Sequence, residues 1–157
     1  MRSFLRFLRQ QGEITTDLAG AVPTVSARNF SARLPGSLEC EQVKHVLSCC
    51  DRSTAAGLRD YAILLLLARL GLRAGELVAM ELSDLDWRAG TLTVRGKGSR
   101  LDRLPIPHDV GEALASYLRD ARPPCPSPRV FLRLQAPRRG LGCTAIASVV
   151  RGALLRA

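Results

Sequence analysis

Apolar and polar positions follow two rhythms along the chain, and the slower one dominates. From Ala55 to Leu70 the run "AAGLRDYAILLLLARL" is apolar on most faces, which predicts a central helix, and Gly71 is its natural stop. Ahead of it, "SLECEQVKHVLSCC" opens on Ser37 with Glu41 close behind and places Leu38, Val43, Val46 and Leu47 on one stripe, predicting an amphipathic helix. "RAGELVAMEL" reads as a third, short helix, with Ser83 to Asp86 as the turn that leaves it. "HDVGEALASYLRD" has helical spacing through Val110, Leu114 and Leu118, with Asp109 and Glu112 near its positive end. A last helix begins in "TAIASVVRGALLRA".

The faster rhythm has period two. "TLTV" alternates as a strand, "RGKGSR" is a glycine-rich turn, and "DRLPIP" is a second extended segment whose prolines suit an edge. With Trp87 anchoring a preceding strand, these segments predict an antiparallel hairpin or a three-stranded sheet. "RPPCPSP" ends the helix that follows, and "VFL" is a brief extended piece. The fold class expected is α+β, mainly helical.

Residues 2 to 11 read as a short basic amphipathic helix ending at Gly12, and "TDLAGAVPTVSARNFSARLPGS" has no sustained period. The expected division is an N-terminal remnant over 1–16, a linker over 17–36 and a domain over 37–157.

Composition narrows the picture. Hydrophobic residues make up 46% of the 157 and aromatics only 4%, so the core is aliphatic, which favours helices. A balance of 23 basic against 14 acidic residues gives a net charge of +9, which predicts attraction to polyanions. Lys44 and Lys97 are the only lysines, so 23 − 2 = 21 basic residues are arginine. Arginine grips a phosphate with two parallel hydrogen bonds, but a GC-rich coding bias produces the same skew, and both readings stand. In such a chain Lys97 looks chosen for being an ammonium.

Five cysteines are an odd number without repeated C-x-x-C spacing, which suggests reduced thiols in the cytoplasm. His45 and Cys49 lie one helical turn apart, yet a closed zinc site needs four placed ligands, so no metal is expected. The opening "MRSFLRFLRQQG" has no continuous apolar region or cleavage site, so it does not read as a secretory signal. "YAILLLLARLGL" is interrupted by Arg69 and falls short of the ~20 residues a bilayer requires. No membrane partner is expected.

Two local constellations carry chemistry. Arg73 sits at a helix junction with Glu76 one turn away, which is either a phosphate clamp with an oriented guanidinium or a surface ion pair at (i, i+3). Lys97 lies between Gly96 and Gly98, where it is either a proton donor on a hairpin tip or a solvated charge on a flexible turn. A nucleotide-binding P-loop is excluded, because it needs G-x-x-x-x-G-K-[ST] and here Thr91 and Gly98 break that pattern.

"DYAILLLLARLGLRAGELVAMELSDLDW" followed by "VRGKGSRLDRLPIPHDVGEAL" resembles the first half of the catalytic domain of the tyrosine recombinases, the phage-integrase family. The resemblance covers residues 37–157; the basic helix ahead of it is weakly similar to the last helix of that family's DNA-clamping domain. It implies that Arg73 is the first catalytic arginine, holding the non-bridging oxygens of a scissile phosphate, that Glu76 supports that turn, and that Lys97 protonates the departing 5′ oxygen. Arg95, Arg100 and Arg103, which flank that lysine, are the candidate DNA contacts. It further implies double-stranded DNA and other recombinase protomers as partners, a mobile-element context, and a reaction needing no cofactor, metal or nucleotide: a tyrosine attacks the phosphate and forms a 3′-phosphotyrosyl bond.

Departures from the family pattern are as informative. Neither His45 nor His108 is followed at the third position by arginine, so the family's His-x-x-Arg pair is missing. Tyr61 precedes Arg73, and Tyr117 follows the hairpin within a helix, so both read as packing residues rather than the nucleophile. The chain is therefore expected to be a truncated recombinase, incomplete as a catalyst on its own. A non-catalytic DNA-binding protein that occupies recombination sites, or inhibits a full-length recombinase, is the alternative.

Overall fold

A computed structural model describes residues 2–22, 37–96 and 101–157, which fall into two compact units dividing between Ser37 and Leu38. In the first unit, α1 (Arg2–Gln10) has no buried residue, and Phe4 and Phe7 are exposed. The chain turns at Gly12 (φ +80°) and folds back: Arg9 pairs with Asp17 at 3.2 Å, Arg2 Nε donates to the Val22 carbonyl at 2.9 Å, and Ala19 is buried. The start of the segment expected to be a linker thus packs on α1, and residues 23–36 lie outside the described residues.

In the second unit, α2 (Cys40–Ser48) starts later than the pattern predicts. Its N-cap is Glu39, whose backbone N–H donates to Gln42 Oε1 at 2.9 Å, so Ser37 is not the cap. Leu38 is exposed, Val43 and Leu47 are half-buried, and of the expected stripe only Val46 is fully inside.

The central helix, α3 (Ala55–Leu70), matches its expected span. Thr54 Oγ1 accepts the Gly57 N–H at 3.0 Å and opens it; Gly71 closes it in the left-handed conformation at φ +62°. Ala62, Ile63, Leu64, Leu65 and Leu66 are buried in succession, as a helix covered on most sides requires. Packed on it are α2, α5 (His108–Ser116), the wider π turn that continues α5 (Tyr117–Ala121) and α6 (Cys143–Arg156). The first turn of α3 lies so close to the preceding loop that a Cβ on Gly57 would stand 1.8 Å from the Asp51 carbonyl oxygen.

The sheet has three antiparallel strands in the order β1 (Leu85–Asp86), β2 (Thr91–Arg95), β3 (Leu101–Pro105). Leu92 and Val94 of β2 enter the core, whereas the edge strand β3 half-buries only Leu104. The preceding strand exists, but Trp87 does not anchor it: it lies in the turn between β1 and β2 and is 51% exposed. Asp86 holds that turn instead, accepting the Ala89 N–H at 2.9 Å. Leu67 of α3 with Val150 and Leu154 of α6 line an apolar surface, and Leu155 beside it is 81% exposed.

Candidate functional site

Arg73 is the N-cap of α4 (Ala74–Ala79), the residue immediately after the Gly71-Leu72 exit from α3. The helix is shorter than the pattern predicts, because Met80 turns out of it into extended backbone. Its first turn is built around one carboxylate. Glu76 Oε2 accepts the Arg73 backbone N–H at 2.7 Å, and Glu76 Oε1 accepts the Arg73 guanidinium at 3.1 Å. Glu76 is only 14% exposed while the Arg73 side chain is 85% exposed. A largely buried anion therefore holds an arginine by its main chain and by one edge of its fork. The remaining guanidinium donors face solvent, with Glu76 as the one partner among the described residues.

That pairing differs from an ordinary (i, i+3) surface pair, which is worth little because both ends are free to move. Here only the cation is exposed. The anion is fixed by packing and by a backbone donor that it would satisfy even without the side-chain contact.

Beside this turn lies the sheet. Glu76 of α4 and Arg95, the last residue of β2, line the same narrow crevice together with Asp84. Asp84 is buried, and its Oδ2 accepts both the Glu81 N–H at 2.8 Å and Arg95 Nη1 at 2.8 Å. A buried carboxylate needs such partners, since leaving it unpaired costs several kcal/mol. Arg95, expected as a DNA contact, is thus held by Asp84, with Glu81 3.8 Å from its other terminal nitrogen. Arg103 sits opposite Thr93 on β3 and pairs with Asp86 at 3.2 Å, keeping a side chain that is 64% exposed. The register pairs Arg95 with Leu101, so residues 96–100 connect β2 to β3. Lys97 and Arg100 belong to that connection and lie outside the described residues.

Two residues that the sequence could have offered as nucleophiles are engaged elsewhere. Tyr117 is fully buried, stacks on Phe131 with ring centroids 5.4 Å apart, and its hydroxyl oxygen accepts the Leu132 N–H at 3.2 Å. Burial pushes its phenol above the usual tyrosine range, the opposite of what an attacking phenolate needs. Tyr61 is half-buried with the Arg52 guanidinium 4.9 Å above its ring. Both are packing residues, as expected.

Sequence reasoning missed four side chains around the site: Glu81, Asp84, Arg122 and Arg129. The spacing Glu81-x-x-Asp84, in which Asp84 reaches back to the Glu81 N–H, was the one available signal.

The second unit is thus mainly helical with a three-stranded antiparallel sheet, and it presents an exposed arginine held by a largely buried glutamate beside that sheet. The model of the phage integrase family matches residues 37–141, and the chain belongs to that family. A Sinorhizobium fredii protein named as an integrase/recombinase is 51% identical over 157 residues, covering 99% of this chain and 38% of its own length. The tyrosine recombinase XerD of Listeria innocua is 33% identical over 129 residues, 82% of this chain and 42% of XerD. The crystal structure of XerA recombinase superposes with a TM-score of 0.67 at 20% identity, covering 99% of this chain and 52% of that one. A lambda integrase dimer bound to a COC′ core site gives a TM-score of 0.65 at 18% identity, over 99% of this chain and 43% of that one. At these identities the structural likeness speaks for the fold. The chain spans well under half the length of the two curated relatives. No helix among the described residues is long and apolar enough to cross a membrane.

Proposed function

We propose that this chain binds double-stranded DNA as part of a site-specific tyrosine recombinase, with residues 37–157 forming the first half of the catalytic domain and residues 1–16 the end of a DNA-clamping domain. Arg73 engages the non-bridging oxygens of a backbone phosphate, Glu76 orients it, and Lys97, on the connection after β2, donates the proton that the leaving 5′ oxygen takes up. The observation that carries this reading is the asymmetric pair: an 85% exposed guanidinium held by a 14% exposed carboxylate. Such a fork is ordered before any ligand arrives, so little side-chain entropy is lost on gripping a phosphate. Arg103 extends the basic surface along β3, Arg100 adds a further positive charge to the connection in sequence, and Arg95 contributes chiefly through its pair with Asp84.

Strand cleavage requires a nucleophile, and neither Tyr61 nor Tyr117 is available for that role. The 157 residues alone are expected to bind DNA without forming a phosphotyrosyl bond. Other recombinase protomers are natural partners, in keeping with the dimeric lambda integrase assembly named above. The burial of Tyr117 and the packing of half-buried Tyr61 under Arg52 favour a second reading, a DNA-binding protein that occupies recombination sites or inhibits a complete recombinase.

A gel-shift titration with duplex DNA across a range of salt tests the first step. Affinity should fall steeply as salt rises, because phosphate contacts release counterions. Undetectable or salt-insensitive binding would overturn the reading. A nicked duplex that traps covalent intermediates tests the second step: a protein–DNA adduct formed by this chain would contradict the assignment of both tyrosines to packing. Competition with a complete relative for its own site separates the two readings.

A further inference from the structure

We propose that Arg129 is a positioning residue for Arg73, acting from the far end of α4 through a strap that Arg122 holds in shape. This rests on the phosphate-clamp reading of Arg73.

α4 spans only six residues, Ala74–Ala79, which is too short to persist by its own hydrogen bonds. Its N-terminal end is fixed by Glu76, as described above. Its C-terminal end is fixed by a segment some fifty residues further along the chain. Arg129 Nη1 donates to the Ala79 carbonyl, the last of the helix, and lies 3.7 Å from Glu81 Oε1. A cation at that end also meets the negative pole of the helix. Around this contact the two backbones pair: the Leu82 N–H donates to the Pro128 carbonyl at 2.9 Å, the Val130 N–H donates to the Met80 carbonyl at 3.0 Å, and Glu81 and Arg129 form an antiparallel bridge.

The strap has its own brace. Arg122 donates from Nη2 to the Ser127 carbonyl at 2.7 Å and to the Arg129 carbonyl at 2.9 Å, and from Nε to the Val130 carbonyl at 3.2 Å. Three carbonyls of one turn converge on a single half-buried guanidinium, which shapes a proline-interrupted segment that has no helix or named strand to do so. The order of dependence is Arg122, the 127–130 turn, Arg129, the end of α4, and then Arg73 at its start. In a chain whose arginines suggest phosphate contacts wholesale, these two are turned inward onto carbonyl oxygens.

The test uses the full chain and two readouts. Amide hydrogen exchange of Arg129→Ala should show the Glu76 and Leu77 amides, which bond the Arg73 carbonyl, exchanging about tenfold faster, while those in the middle of α3 keep their protection. Arg129→Gln, which keeps an N–H donor without the charge, should recover most of that protection. Unchanged exchange in α4, or a uniform rise across the whole unit, would overturn the proposal. Exchange needs no DNA, so it decides the point even if the parent chain does not bind duplex, an outcome that would sink the phosphate-clamp reading alone. Where the parent does bind, Arg129→Ala should weaken duplex affinity severalfold in the parent and have little effect in an Arg73→Ala background. An equal loss in both backgrounds would mean that Arg129 acts independently of Arg73, against the proposal.

Discussion

The carboxylate of Glu76 accepts both the backbone N–H of Arg73, at 2.7 Å, and its guanidinium, at 3.1 Å. One anion therefore sets the helix start and aims the side chain. Glu76→Gln keeps an oxygen for the backbone donor and loses the charged grip on the fork. Stability should fall by about 1 kcal/mol, chiefly because the bond to the Arg73 N–H loses its charge assistance and the helix start loses a favourable anion, the exposed pair itself adding little. Removing a negative charge near DNA works in the opposite direction by general attraction, so the informative titration is near physiological salt, where screening weakens that term. Duplex affinity there should drop severalfold. An increase would mean that the carboxylate is only a charge and not an orienting group.

Arg73→Ala separates stability from binding. Its side chain is 85% exposed and the Arg73 N–H still reaches Glu76, so stability in chemical denaturation should change by no more than ~0.5 kcal/mol. Duplex affinity should fall, and the slope of log affinity against log salt should become shallower by about one. A folded variant that binds with the parent slope would remove Arg73 from the interface.

Alkaline pH should destabilise the protein through two buried acids. Burial raises the Cys50 thiol and the Tyr117 phenol above their ordinary values. For both, the folded state holds its proton more tightly than the unfolded state. Their contribution is complete below the unfolded values, ~8.5 for the thiol and ~10 for the phenol, and is lost as pH rises through the folded values. Denaturant midpoints should therefore decline above about pH 9, and Cys50→Ala should delay the onset. A flat profile to pH 11 in the parent would contradict the burial of both groups. Tyr117→Phe, which keeps the stack on Phe131 but orphans the buried Leu132 N–H, should cost about 1–2 kcal/mol at neutral pH.

Gly57→Ala should be among the most damaging small substitutions. The new methyl would meet the Asp51 carbonyl oxygen at 1.8 Å, so either the loop or the start of the central helix must move. A loss of about 2–4 kcal/mol in chemical denaturation is expected, comparable with overpacking in a core. Gly71→Ala, strained by φ +62° but facing open space, should cost only about 1 kcal/mol.

The parts of this fold legible in the sequence were those whose determinants are local. The central helix carries its apolar surface within its own residues and its stop signal in the glycine that follows, and β2 carries its alternation. α2 was placed too early because Ser37 and Leu38 fit a cap and a stripe, while the real cap, Glu39, bonds Gln42. The short strand β1 was visible only as a possibility, and Trp87 suggested an anchor where the structure has an exposed side chain. The sequence singles out Arg73 and Glu76 as a pair, but whether its two ends are equally free or one is held depends on burial, which spacing does not encode. Arg95 and Arg129 show the larger gap. An arginine that meets a phosphate and one that meets a buried carboxylate or a distant carbonyl are the same letter, and the strap partner lies fifty residues from the helix it holds.

The apolar surface lined by Leu67, Val150 and Leu154, with Leu155 exposed beside it, answers salt in the opposite way from the exposed arginines. Chloride at moderate strength screens the arginines and loosens polyanions, whereas sulfate, excluded from nonpolar surface, drives such surface out of water. The choice of anion in the buffer therefore selects which of these side chains governs association in solution. Sulfate salts at high concentration therefore make the α3–α6 surface adhesive at the same time as they screen the arginines.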